Sequence, residues 1–278
     1  MTSAVDAFYF EPDGEGKGQR YCIFRRAKTL PCRGAVVYVH PFAEEMNKSR
    51  RMAALQAAAL ADAGFAVLQI DLQGCGDSSG DFNDASWQGW VDDAAAAARW
   101  LGARHPAAPL WFWGLRCGGL VAAEAARQMG MPCNFLFWQP ALDGAGVLHH
   151  FLRLQVVGAM LDGRAKNAVA ALKQQLAEQR AVEVAGYLLA SALASGLDSA
   201  RLRPPDGGGR VVWLEVSPAL NAKIGPASLL AIEQWQRAGF EVQAAVVAGP
   251  AFWQTSEVEE APQLIAATLQ RLQNPLSL

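Results

Sequence analysis

Leu110–Gly119, LWFWGLRCGG, is the stretch on which the reading of this chain turns. An apolar run from Leu110 to Trp113 breaks at Gly114, and the pair Gly118-Gly119 opens an Ala-rich segment. The pattern is a strand, a sharp turn and a helix. Turns of this kind carry Gly-x-nucleophile-x-Gly, and the spacing fits Gly114-Leu115-Arg116-Cys117-Gly118. The apex letter is Arg116, where attack on a substrate would need Ser, Cys or Asp.

Outward from this turn the chain alternates strands and helices. Ala35–Val39 (AVVYV) is a continuous apolar, β-branched run, the mark of a strand buried on both faces. It ends in His40-Pro41 and a polar loop, FAEEMNKSRR, before a helix that Gly64 stops. Ala66–Ile70 is the next strand, followed by the glycine-rich loop DLQGCGDSSG from Asp71. Ser86 is placed to cap a helix over Trp87–Arg104, which Pro106 and Pro109 break. A helix over Cys117–Met129 and a strand over Asn134–Trp138 follow. Tyr21–Arg26 reads as an early strand on an antiparallel edge. After Ala141 the period changes: AKNAVAALKQQLAEQRAVEVAGYLLASALASGL is helical in composition and carries no strand signal. Residues 141–205 are therefore expected as a helical cap inserted into an α/β core made of 1–140 and 206–278. Strands over Val211–Val216 and Val242–Val247, with helices over Pro226–Ala238 and Ser256–Leu272, complete the core. This order predicts a mostly parallel sheet covered by helices on both faces. Ligands then bind outside the carboxyl ends of the strands, where His40, Asp71, Arg116, Asp143 and the loop from Gly249 fall.

The 278 residues, 52% hydrophobic, suffice for one large α/β domain, and a net charge of −2 gives no electrostatic case for nucleic acid. The first residues are polar and acidic rather than signal-like, and no stretch is apolar enough to span a bilayer, so a cytoplasmic protein is expected. Five scattered cysteines without metal spacing read as reduced thiols. No metal or cofactor is implied.

His40-Pro after the first central strand, D-x-x-G-x-G-D-S-x-G after the second and G-x-x-x-G after the third resemble, in this order and over most of the chain, the α/β-hydrolase superfamily. More narrowly, VHPFAEEMNKSRRM, LQIDLQGCGDSSGDF, WGLRCGG and GPAFWQTSEVEEAP resemble the exosortase A system-associated hydrolase 2 family. The resemblance implies a cytosolic bacterial protein of α/β-hydrolase fold, encoded beside the exosortase (PEP-CTERM) sorting and exopolysaccharide machinery. Components of that machinery are the implied partners. The implied reaction is hydrolysis of an ester, thioester or amide.

An acyl hydrolase of this fold needs a nucleophile at the elbow, a histidine after the last strand and an acid to orient it. The apex carries a guanidinium, which stays protonated, and no histidine occurs beyond His150. Substitutes have two readings each. Cys117, at a helix start, is a thiolate nucleophile or a buried inert thiol. His149-His150 is a base swung in from the cap or a surface pair. His40 activates a water or contacts ligand, or it anchors its loop. Arg116 is an anion site with fork geometry or one half of a salt bridge to Glu44, Glu45 or Asp71. Glu44 and Glu45, in a charged loop with Lys48, Arg50 and Arg51, touch ligand or form a solvated face. Ser49 is expected as the N-cap of the next helix, and Ser78 and Ser79 as turn residues. Asp71 contacts ligand or bonds the backbone of its own glycine loop, and the role of Asp143 is open. Leu115 and Phe252, beside the apex and in the loop after the last strand, complete the expected ligand contacts. Three functions follow: a hydrolase with an unconventional site built on Cys117 or His40, a silent hydrolase fold that binds a small anion at Arg116, or an interaction partner of the exopolysaccharide and exosortase machinery.

Overall fold

The central strand β3 (Gly34–Val39) is buried along its whole length. Ala35, Val37 and Val39 join one core cluster, Val36 and Tyr38 the other, as period-two alternation requires of a strand with helices on both faces. The structure, a computed structural model, describes residues 5–12, 18–159, 168–219 and 221–273. β1 (Val5–Phe10) and β2 (Arg20–Arg25) precede β3; β4 (Phe65–Ile70), β5 (Leu110–Leu115) and β6 (Asn134–Trp138) follow it. Between β6 and the last two sheet strands lie α4 (Gly144–Ala159), α5 (Ala168–Ala177), a hairpin of β7 (Val182–Val184) and β8 (Tyr187–Leu189), and α6 (Ser191–Ser199). The chain then returns as β9 (Gly209–Ser217) and β10 (Phe240–Ala248). The main sheet runs β1-β2-β4-β3-β5-β6-β9-β10, parallel except for β1 and β2. One face packs against α1 (Glu44–Asp62) and α8 (Pro262–Gln273), the other against α2 (Trp87–Arg104), α3 (Gly118–Met129) and α7 (Pro226–Arg237). The expected mostly parallel sheet with helices on both faces is what the chain builds.

Four expectations need correction. β2 is not an edge strand: β1 pairs along its outer side and is itself the edge. The polar loop after His40 is shorter than its composition suggested. Ala43, at φ 49°, turns the chain so that α1 starts at Glu44, with Glu44 and Glu45 in its first turn, where acids suit the helix dipole. Ser49 therefore lies inside α1, and its hydroxyl donates back to Glu45 O at 2.7 Å instead of capping. The segment 141–205 is not purely helical either. Val182–Val184 and Tyr187–Leu189 pair across Ala185-Gly186, both at positive φ, the geometry of a type I′ turn. Last, α8 begins at Pro262 rather than Ser256. Ser86 behaves as expected, its hydroxyl accepting from Gly89 N–H at 3.0 Å.

The segment between β6 and β9 is seated over the carboxyl ends of the strands by aromatic contacts. Phe151 of α4 meets Phe42 edge-on at 5.0 Å, and Tyr187 of β8 meets Phe82 at 5.1 Å. The glycine loop after β4 is fixed on the other side by Arg20–Asp93, an ion pair of 2.7 Å between two side chains each 1% exposed. The same Asp93 oxygen accepts from Gln73 N–H at 2.8 Å, so the loop, β2 and α2 are joined at one buried point.

Candidate functional site

The elbow forms where β5 runs into α3. A Cβ on Gly114 would stand 2.5 Å from Gly119 Cα, and one on Gly118 would collide with the carbonyl of Val39. Both glycines are thus demanded by packing. Between them Arg116 adopts φ 54°, a left-handed conformation costing a non-glycine residue about 1–2 kcal/mol. Three backbone hydrogen bonds hold it there. Its N–H donates to Trp138 O at 3.0 Å, and its carbonyl accepts from Gly119 and Ala141 N–H, each at 3.1 Å.

The guanidinium this turn presents is paired. Arg116 Nε and Nη2 donate to Glu45 Oε1 at 3.3 and 3.2 Å, from the first turn of α1. Arg116 keeps 21% of its side chain exposed and Glu45 9%, so the pair faces an opening without lying in open solvent. Burial pushes the Glu45 carboxyl above its ordinary range, while Arg116 draws it back down. Trp253, from the loop after β10, places its ring 5.6 Å from the guanidinium carbon, within cation–π reach. An indole thus stands beside the apex, supplied by the loop in which a catalytic base was sought. The opening is a cleft walled by Phe42, Glu44, Glu45, Arg116, His150 and Phe151, with room for about one water molecule.

Of the sequence-predicted site residues, the structure brings Arg116, Glu44 and Glu45 together at this cleft and disperses the rest. Cys117 is 1% exposed, and its thiol makes no hydrogen bond among the described residues. Burial, reinforced by the Glu45 charge, pushes its thiol far above the ordinary cysteine range, so the helix dipole does not produce a thiolate. His40 has both ring nitrogens engaged: Nδ1 donates to Pro41 O at 2.8 Å and Nε2 accepts from Leu72 N–H at 3.2 Å. Burial lowers its pKa, against the opposing pull of Asp71. A neutral, doubly bonded imidazole strapping two loops has no lone pair left for a water or substrate. Leu115, 1% exposed, and Phe252, fully buried between Trp138 and Trp253, belong to the core and not to the cleft wall. Asp143 Oδ1 accepts from Gly146 N–H at 2.7 Å, which makes it the cap of α4. Asp71 receives Asp77 N–H at 3.1 Å and pairs with Arg50 at 3.2 Å. Ser78 and Ser79 are turn residues as expected, the Ser78 hydroxyl bonding Asp71 O.

One feature went unread in the sequence: Asp93 sits in an Ala-rich run whose helical face toward the sheet could have flagged a buried charge. Of the pair His149-His150, expected as a base from the cap or as a surface pair, His150 lines the elbow cleft. Among the described residues no group of His, Cys, Asp and Glu is arranged to hold a metal ion.

The comparisons agree with the fold. The model of the family described as serine aminopeptidase, S33, matches residues 31–178, more than half of the chain. The chain belongs to that family. It is 32% identical over 116 residues to the human protein ABHD12B, a match covering 42% of this chain but 31% of that one, so it spans about a third of that relative's length. Among solved structures it resembles Est1E from Butyrivibrio proteoclasticus with ferulic acid bound, at TM-score 0.62 and 14% identity over 96% of each chain. It also resembles a thermostable carboxyl esterase from Bacillus coagulans in complex with glycerol, at TM-score 0.58 and 14% identity over 89% of this chain and 91% of the other. Such identities show the α/β-hydrolase fold and no more. No helix among the described residues is long and apolar enough to cross a membrane.

Proposed function

We propose that this member of the S33 family uses the hydrolase fold to bind a small anion, a carboxylate or a phosphate, at Arg116 instead of attacking an acyl group. One observation carries the reading: a partly exposed guanidinium occupies the strained apex that a nucleophile would hold, between Glu45 and Trp253. The turn also opens a helix, whose first N–H groups favour negative charge. Glu45 holds the place of the ligand and yields it, since a planar fork accepts either carboxylate. With space for about one water, the cleft admits such an anion only when Phe151 and α4 draw back, the part proposed for the segment 141–205 as a cap. The test is thermal stabilisation of the wild type by acetate, succinate and inorganic phosphate, repeated on Arg116→Ala. The reading expects a saturable rise in Tm that Arg116→Ala abolishes. A wild type unmoved by all three anions, or a variant that responds as the wild type does, overturns it.

A hydrolytic reading rests on His150, which lines the same cleft and could deprotonate a water there. Turnover of a p-nitrophenyl ester that His150→Ala abolishes would favour it over silent binding. The quoted likeness to the exosortase A system-associated family supports a further proposal: the protein works in the cytoplasm, alongside the exosortase and exopolysaccharide machinery. Deleting the gene in a host with that machinery should lower exopolysaccharide output or PEP-CTERM protein sorting; unchanged levels of both refute the association.

A further inference from the structure

A second cavity of about 190 Å³ lies beside α1, over the antiparallel end of the sheet. It shares no lining residue with the elbow cleft. Its floor follows from strand register. Tyr38 of β3 aligns with Gln69 of β4, and Gln69 with Ile23 of β2, so the three form one row on the α1 face. Arg25, two residues along β2, stands on that face diagonal to Gln69, roughly 7–8 Å away by sheet geometry. Its far wall is the α1 surface at Met46, Ala53 and Ala54, where short side chains leave the space unfilled.

Two polar atoms in this floor are buried without a hydrogen-bond partner, Arg25 Nε and Gln69 Oε1. Arg25 also forms no ion pair among the described residues, whereas Arg50 at the mouth is matched by Asp71. A buried guanidinium nitrogen and a buried amide oxygen each lose the free energy of an unmade hydrogen bond. A ligand that ends this deficit must bring an acceptor of negative charge for Arg25 and, one cross-strand step away, a donor for Gln69. Its remainder must suit Ile23, Tyr38 and Met46. His40 and Asp71, expected from the sequence at a ligand site, line this cavity and not the elbow.

We propose that the groove between α1 and the β2–β4–β3 floor is a second binding site, for a small hydroxy-carboxylate with an apolar or aromatic body. The carboxylate pairs with Arg25, the hydroxyl donates to Gln69 Oε1, and the body lies against Ile23, Tyr38 and Met46. At about 190 Å³ the groove is smaller than a drug-sized site and takes only a small ligand of this kind. The proposal is independent of the anion reading at Arg116.

Titration calorimetry with 3-phenyllactate and 4-hydroxyphenylacetate tests it. At least one of the two should bind the wild type saturably, and the methyl ester of the binder should bind at least tenfold more weakly. Arg25→Met should weaken binding by about ten- to a hundredfold, the scale of a charge-assisted bond, without lowering Tm, since it removes an unpartnered buried group. Ala54→Phe, which fills the groove from the helix side, should abolish binding, with folding verified by its Tm. Arg116→Ala should bind as the wild type does, which separates this site from the elbow. Failure of both probes on the wild type overturns the proposal. So does binding that survives Arg25→Met and Ala54→Phe, or binding lost in Arg116→Ala.

Discussion

Replacing Arg116 by Met, which keeps length and removes charge, leaves the Glu45 carboxylate buried opposite a thioether. Glu45 is 9% exposed and Arg116 21%, so the pair falls between a surface bridge and a fully buried one. Breaking a buried pair from one side costs about 3–5 kcal/mol, and the remaining exposure puts this case at the lower end, about 3 kcal/mol. For a chain of this size that is roughly 6–12 °C in Tm. The loss should depend on pH with a definite sign. Burial already raises the Glu45 pKa, and removing the compensating guanidinium raises it further. A carboxyl whose folded pKa exceeds its unfolded value contributes full stability below the unfolded pKa, and that stability is lost as pH rises through the folded pKa. Arg116→Met should therefore lose its full 3 kcal/mol at about pH 8 and less at about pH 5, because the carboxyl holds its proton to higher pH in the folded variant than in the unfolded chain. Glu45→Gln combined with Arg116→Met should recover most of the loss, a coupling of about 2 kcal/mol in a double-mutant cycle. Urea unfolding of the four proteins at both pH values is the measurement. Equal losses at the two pH values, with additive effects in the double variant, would refute the claim that Glu45 is a buried carboxylate kept charged by Arg116.

Three further outcomes follow from the same geometry. Arg116→Ser restores the apex letter of a serine hydrolase yet should leave p-nitrophenyl acetate hydrolysis at background, because the loop after β10 that supplies the base in this fold brings Trp253 to the apex and not a histidine; a rate a hundredfold above background would reveal a base, with His150 of the same cleft the candidate. Cys117 should resist iodoacetamide at about pH 8 in the folded protein and react only on unfolding, its thiol being buried and protonated; mass spectrometry that finds it alkylated in the native state would contradict this. His40→Ala removes the acceptor for Leu72 N–H and the donor to Pro41 O, and should cost about 1–3 kcal/mol in chemical denaturation, an unchanged midpoint being the contrary result.

The fold was legible wherever period and punctuation agreed. AVVYV, LWFWGL and the glycines around Arg116 fixed the central strands and the elbow, since burial on both faces and backbone crowding leave few other readings. The errors arose where one local signal outweighed tertiary packing. Ser49 looks like a cap because charged residues precede it, yet those charges are themselves the first turns of α1. VEVAGYLL lies in helix-rich surroundings, and its hairpin depends on two consecutive positive-φ residues, one of them an alanine. For the site, the need of a buried guanidinium for a partner named Glu44, Glu45 and Asp71 as candidates, and the fold pairs Arg116 with Glu45. Position at a strand end did not say that Leu115 and Phe252 turn into the core or that both His40 nitrogens are bonded to loops. The sequence put His40 and Asp71 at a ligand-binding edge but did not reveal the α1 groove that they line. That groove arises from the register of three strands and from two alanines opposite them.

The two internal arginine–carboxylate pairs show why the elbow still reads as a binding feature. Arg20–Asp93 is 1% exposed on both sides, and its carboxylate is shared with the backbone of the glycine loop; its role ends with joining β2, α2 and that loop. Arg116–Glu45 is built differently. It lies at the mouth of a cleft, its arginine holds a left-handed conformation that glycine or asparagine would adopt with less strain, and among the described residues no backbone group bonds to either of its side chains. An ion pair of this kind is a weak stabiliser compared with apolar packing of the same volume, so stability alone does not account for a strained arginine there. The packing that demands Gly114 and Gly118 would keep the elbow in place with a smaller residue at its apex. What the arginine adds is a guanidinium facing the cleft with a displaceable partner, and that is a property a ligand can use.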